Sequence, residues 1–172
     1  MSTTKTLPVA TLIQSILGLF TEAYAGPPDP SATWFTDNVP DSGVLGIIRG
    51  VTAREASTSV DNTGNRGTTI AANVEHLRWT LANANATLRG ADYNPDWKES
   101  WALLDADETA WDNLRAALNT EFETLRIAIR QQEDLSGDFL NGVLALIPHA
   151  AYHLGTIRQM IERVRKPGKA SG

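Results

Sequence analysis

Cysteine is absent from the 172 residues. Its absence removes disulfides, thiolate metal ligands and a cysteine nucleophile together, and nothing then calls for an oxidising compartment. Positive charge is also in short supply. Fifteen Lys and Arg stand against 20 Asp and Glu, a formal charge of −5 that repels a phosphate backbone rather than attracting it, so no nucleic-acid partner is expected. No apolar run approaches the roughly 20 residues that span a bilayer; no membrane association is expected, and the cytoplasm is the expected location. The length suits one domain, residues 1–172, with about 166–172 as a flexible tail, and is too short for two ordinary cores.

The N-terminus supports two readings. Lys5, the apolar stretch from Leu7 to Phe20 and the tripeptide Ala23-Tyr24-Ala25 imitate a secretory signal with an A-x-A cleavage site. Yet Val9, Leu12, Ile13, Ile16, Leu17 and Phe20 recur at steps of three and four, with Thr11, Gln14, Ser15 and Glu22 on the other face, an amphipathy that a signal does not need. The spacing favours a first core helix, ended by Gly26-Pro27-Pro28.

Three further long helices follow from the same period. Residues 69–89 carry Ile70, Val74, Leu77, Leu81, Ala84 and Leu88, with Gly90 as a C-terminal cap. Residues 106–131 open with Asp105 and Glu108 in capping-box spacing and turn Trp111, Leu114, Leu118, Phe122, Leu125 and Ile129 inward. Residues 139–165 carry Leu140, Val143, Ile147, Ala150, Leu154, Ile157, Ile161 and Val164. Pro148 lies inside this last segment, where it removes a backbone hydrogen bond and crowds the Leu144 carbonyl, so a kink or a new helix start is expected just before His149.

Four long amphipathic helices without an alternating strand predict an all-α fold, a four-helix bundle. The long connection between its first two helices is expected to contain short helices, one within Gly43 to Gly50 and one opened by a Thr52/Glu55 capping box. Trp34 and Phe35 are expected to anchor this connection. A second irregular stretch, Ala91 to Trp101, gathers Tyr93, Trp97 and Trp101; either stretch could wall a site, although loop aromatics more often simply pack.

Histidine is scarce, with only three in the chain. His149 and His153 stand four residues apart on one helix, a rotation of about 40°, so both imidazoles point the same way, and His76 on another helix can supply a third nitrogen. A three-imidazole site without a fourth protein ligand leaves positions open for water or substrate. A core residue directly follows each histidine, which places the site at the edge of the core. Asn73, Thr80 and Asn83 share the face of His76, and Thr156 and Met160 that of His153, so these five are expected to line a pocket. Arg158 is a candidate anion contact, with an ion pair to a neighbouring helix as the commoner use of such a residue. Glu75 should point away from His76, and no general base declares itself; the catalytic residues are unknown. Imidazole suits zinc, nickel, iron and copper alike; one divalent ion is expected, zinc or nickel foremost. Histidines of ordinary pKa near 6.5 would surrender that ion as the pH falls from about 7 to 5.

The segment Pro148-His149-Ala150-Ala151-Tyr152-His153-Leu154-Gly155-Thr156-Ile157-Arg158-Gln159, with His76-Leu77-Arg78-Trp79 and the connection Trp34-Phe35-Thr36-Asp37-Asn38, resembles the DinB-like superfamily over nearly the whole chain. The resemblance implies a four-helix bundle, often dimeric, with one divalent metal held by a histidine of the second long helix and an H-x-x-x-H pair of the fourth, which match His76, His149 and His153. It also implies a small-molecule substrate, with a low-molecular-weight thiol as cosubstrate in S-transferases and isomerases, or water in metal-dependent hydrolases. Thr156 stands where relatives often have Gln. The expected function is therefore activation of a thiol or water toward a small electrophile, and the alternative is a non-catalytic metal-binding stress-response or ligand-binding module.

Overall fold

The structure is a computed structural model that describes residues 7–61, 67–94, 96–133 and 135–166. Among them the fold is all-helical: long helices α1 (Val9–Ala25), α4 (Ile70–Leu88), α5 (Glu108–Arg130) and α6 (Gly137–Arg165), with short helices α2 (Val44–Ile47) and α3 (Ala53–Ser57) in the first connection. No helix among the described residues is long and apolar enough to cross a membrane. The long helices contact one another in the cyclic order α1, α5, α4, α6. The flexible tail expected at 166–172 lies, beyond Lys166, outside the described residues.

The apolar periodicities become the core. All six inward residues of α5, Trp111, Leu114, Leu118, Phe122, Leu125 and Ile129, are buried, as are Ile13, Ile16, Leu17 and Phe20 of α1 and Ile70, Val74, Leu77 and Leu81 of α4. Ala23 and Tyr24, two of the three residues of the apparent cleavage motif, are completely buried. The Tyr24 ring sits 5.1 Å from Phe20 and 5.4 Å from Phe122. Helix α1 ends at Gly26 with φ 97°, where a Cβ would meet the Ser42 backbone nitrogen at 2.8 Å. The chain thus needs glycine there both for its left-handed backbone and for the close return of the connection.

Four local expectations change. The N-cap of α5 is Asp107, which accepts from the Ala110 backbone N–H, and not Asp105. Helix α6 is capped by the Ser136 side chain and runs unbroken from Gly137 through Pro148, although proline removes one backbone N–H from the helix. Trp34 and Phe35 do not anchor the connection by their rings, which are 82% and 41% exposed. Glu22 anchors it instead. The helical period correctly turns Glu22 away from the helical core, but the connection folds over it, leaving it 1% exposed.

The Glu22 carboxylate accepts from the backbone N–H groups of Trp34, Phe35 and Thr36, each at 2.9 Å, and from the Thr33 hydroxyl at 2.5 Å. Burial alone would raise its pKa, but these hydrogen bonds prevail and hold it at about 2. Arg158 of α6 closes the same loop, bonding the Asp37 carboxylate at 2.9 Å and the Ser42 carbonyl at 2.6 Å. The α3 capping box forms as expected, and Arg165 ties α3 to the end of α6 through Glu55 at 2.8 Å.

Replacing Glu22 with Gln should destabilise the fold by on the order of 2–3 kcal/mol, because a neutral amide offers one acceptor oxygen and no charge to a cluster of aligned donors. Urea denaturation at pH 7 measures this. The stability conferred by the depressed pKa is present above the unfolded value near 4.5 and lost as the pH falls toward 2, so the difference between wild type and variant should shrink in acid.

Candidate metal centre

Helix α4 supplies His76, and α6 supplies His149 and His153 from one face. Their ring centroids form a nearly equilateral triangle with sides of 4.9, 4.8 and 4.8 Å, and one nitrogen from each lies within 4.8 Å of the others. This buried group could hold a metal ion. His76 and His153 are each only 4% exposed. The site is therefore deeper than its expected place at the edge of the core, because the stretch after α4 covers it.

Hydrogen bonding fixes two of the three tautomers. The Ser100 hydroxyl uses its single hydrogen to bond the Trp97 carbonyl at 2.7 Å, so at 2.7 Å from His76 Nδ1 it can only accept. His76 must carry its proton on Nδ1, which leaves Nε2 bare. The Asn73 amide nitrogen donates to the carbonyls of Gly67 and Thr69, both at 2.9 Å, which turns its oxygen toward His153 Nδ1 at 2.9 Å. His153 is thereby also protonated on Nδ1 and presents a bare Nε2. Such partners on the far nitrogen are how proteins orient imidazole for a metal.

His149 differs. Its Nε2 lies 2.9 Å from His76 Nε2, and its buried Nδ1 has no hydrogen-bond partner. With His76 Nε2 bare, His149 Nε2 carries the proton between them, and for His149 to offer Nε2 to a cation as a neutral ring that proton would move to its partnerless Nδ1. The 2.9 Å separation is close to the roughly 3.0–3.4 Å between two nitrogens that share an ion at bonds of about 2.1 Å. The donor set therefore fits a divalent metal.

Trp97 and Trp101, from the stretch after α4, form a wall of the site. Trp101 stacks on His76 at 4.0 Å with 14° between the planes, and Trp97 lies 5.6 Å from His76 and 5.4 Å from Trp79. Asn83 pins this stretch to α4, its amide bonding the Asn94 carbonyl at 2.8 Å and its oxygen accepting from the Asn94 N–H at 3.1 Å. Thr80 and Asn83 line a cavity of about 710 Å³ that reaches His149. Asn73 and Met160 instead lie buried behind the histidines, 3.6 Å apart. Thr156 is not part of that lining; its hydroxyl bonds the Tyr152 carbonyl one turn back at 3.0 Å. Arg158 serves the Asp37 loop, and Glu75 is held by Arg78 at 2.6 Å. Ser100, completely buried, had no sequence signal, because it meets His76 from 24 residues away.

Burial pushes the His76 pKa down to about 4 and that of His153 to about 3, with neighbouring histidines adding to the shift, and burial lowers His149 too. Protons therefore compete for the folded site at lower pH than ordinary histidines would allow. No protein-family model, curated protein or solved structure matches the chain.

The depressed values make acid lability a property of the metal-free fold. Below about pH 6.5 the unfolded chain binds protons that the folded chain refuses, so stability falls with pH until the folded values near 4 and 3 are reached. Urea midpoints of chelated protein should show a loss on the order of 3 kcal/mol between pH 7 and pH 5. A flat profile would mean that the imidazoles protonate freely in the folded state.

Proposed function

We infer that the chain is a mononuclear metal-dependent enzyme of the DinB-like kind, a four-helix bundle whose three histidines hold one divalent ion, zinc or nickel foremost. The observation that carries this reading is the convergence of three imidazoles, two with their far nitrogens engaged, beside a cavity large enough for a small molecule. The bound ion would supply Lewis acidity, lowering the pKa of a thiol or water so that it becomes a nucleophile near neutral pH.

The chain's own residues divide the remaining work. Ser100 and Asn73 fix the tautomers and planes of His76 and His153. Trp97 and Trp101 screen the imidazoles from water, which strengthens electrostatic interactions in the site. His149 alone of the three borders the cavity, so a small electrophile would approach on its side. The open cavity favours catalysis over the alternative of an ion that merely staples the helices, since a staple needs no such space.

Protein purified without a nickel column should contain about one metal ion per chain. His149→Ala should cut that content at least about tenfold while retaining helical circular dichroism, and unchanged stoichiometry would sink the ligand assignment. A thiol-transfer and hydrolysis screen with small electrophiles should show turnover abolished by chelator; turnover indifferent to the chelator would remove the metal from the chemistry.

A further inference from the structure

The cavity beside His149 has a composition that the polar stripe on α4 did not foretell. Along α6 its wall runs through Phe139, Gly142, Val143 and Leu146 to His149, and the facing wall on α4 ends in Ala84 and Leu88. From Asp138 to His149 is eleven residues of helix, or about 16 Å at 1.5 Å per residue. The polar side chains on the α4 wall are already engaged. The Thr80 hydroxyl donates to the His76 carbonyl at 2.8 Å, the Thr87 hydroxyl to the Asn83 carbonyl at 3.0 Å, and both amide atoms of Asn83 bond Asn94. Asp138, the charged residue of the lining, stands in the first turn of α6, at the end away from the histidines.

A thiol or sugar rich in hydroxyls and carboxylates would find few partners along such walls, whose remaining polar side chains are Tyr93, Trp97 and Asp138, and each buried unsatisfied group opposes binding. An apolar body faces no such penalty, and its burial between aromatic and aliphatic side chains drives association. The geometry points to a binding channel for an elongated, uncharged apolar molecule, aliphatic or aromatic, whose single polar end faces the histidine cluster at His149. The placement of that end rests on the metal reading above; the apolar body does not. A polar thiol cosubstrate would then have to reach the centre from outside the channel.

Gly142 offers a clean block. A Cβ there meets nothing within 4 Å, so Gly142→Leu projects into the channel while improving helix propensity. Gly155→Leu is the control, equally unhindered on the same helix but outside the lining. The full chain, with and without chelator, is titrated with N-phenylnaphthylamine, a neutral apolar fluorophore. Wild type and Gly155→Leu should bind it saturably with the same affinity, and Gly142→Leu at least about tenfold more weakly. Absence of saturable binding to wild type, or equal binding by Gly142→Leu, overturns the channel. Probe expelled as the protein concentration rises also overturns it, because a second copy is then the occupant.

The polar end is tested by displacement with octanohydroxamate, which carries a metal-binding head on an aliphatic tail. It should compete at least about tenfold better on metal-loaded than on chelated protein. Equal competition on protein shown to hold one ion overturns the placement of the head. Failure of the metal reading is distinguishable, since it appears as absent metal while the fluorophore still binds.

Discussion

Three imidazoles packed with their ring centroids 4.8–4.9 Å apart in a buried pocket cannot all be charged. Among the described residues no carboxylate joins the cluster to balance positive charge. The cluster is therefore restricted to neutral rings, which are the form that binds a cation. Everything around it serves that condition. Burial holds the pKa values down, Ser100 and Asn73 place the protons on the outward nitrogens, and the inward nitrogens of His76 and His153 are left as acceptors. A metal ion could satisfy this arrangement, whereas a proton shared between His76 and His149 satisfies only two of the three rings.

The scaffold keeps α4 and α6 in the register this requires. The connection after α1 is fastened from two sides, by the buried Glu22 carboxylate on one and by Arg158 on the other. Between its short helices a further contact forms, with Trp111 of α5 donating to the Val51 carbonyl at 2.7 Å. These interactions lie away from the histidines, yet they fix the surface on which α6 rests. Local charge chemistry in a loop thus helps determine the position of a distant site.

The long helices and their buried faces were legible because a 3.6-residue period leaves a strong trace over 17 to 29 residues. The three histidines were legible for the same reason, together with their scarcity. Caps were less so: Asp105 and Asp107 both precede the same helix start, and only backbone geometry chooses between them. What escaped were contacts between segments distant in sequence. The helical phase of Glu22 places it on the polar face of α1, and no periodicity records that residues 33–36 fold over it. The aromatics of the stretch after α4 mark it as a possible wall, but that stretch has no period, so the particular contacts of Ser100 and Trp101 with His76 are not legible in it. Asn73, Thr80 and Asn83 share one helical face but serve three different purposes, which face-sharing alone does not separate.

The account turns on three imidazole nitrogens meeting one ion. X-ray absorption at the zinc edge, on protein loaded with one equivalent of zinc, reads that shell directly. Three nitrogen scatterers at about 2.0–2.1 Å, with the outer-shell scattering of three imidazole rings, are the expected result, and the three-ring signature should diminish in His149→Ala. A shell made only of oxygen, or one with a single imidazole, would contradict it.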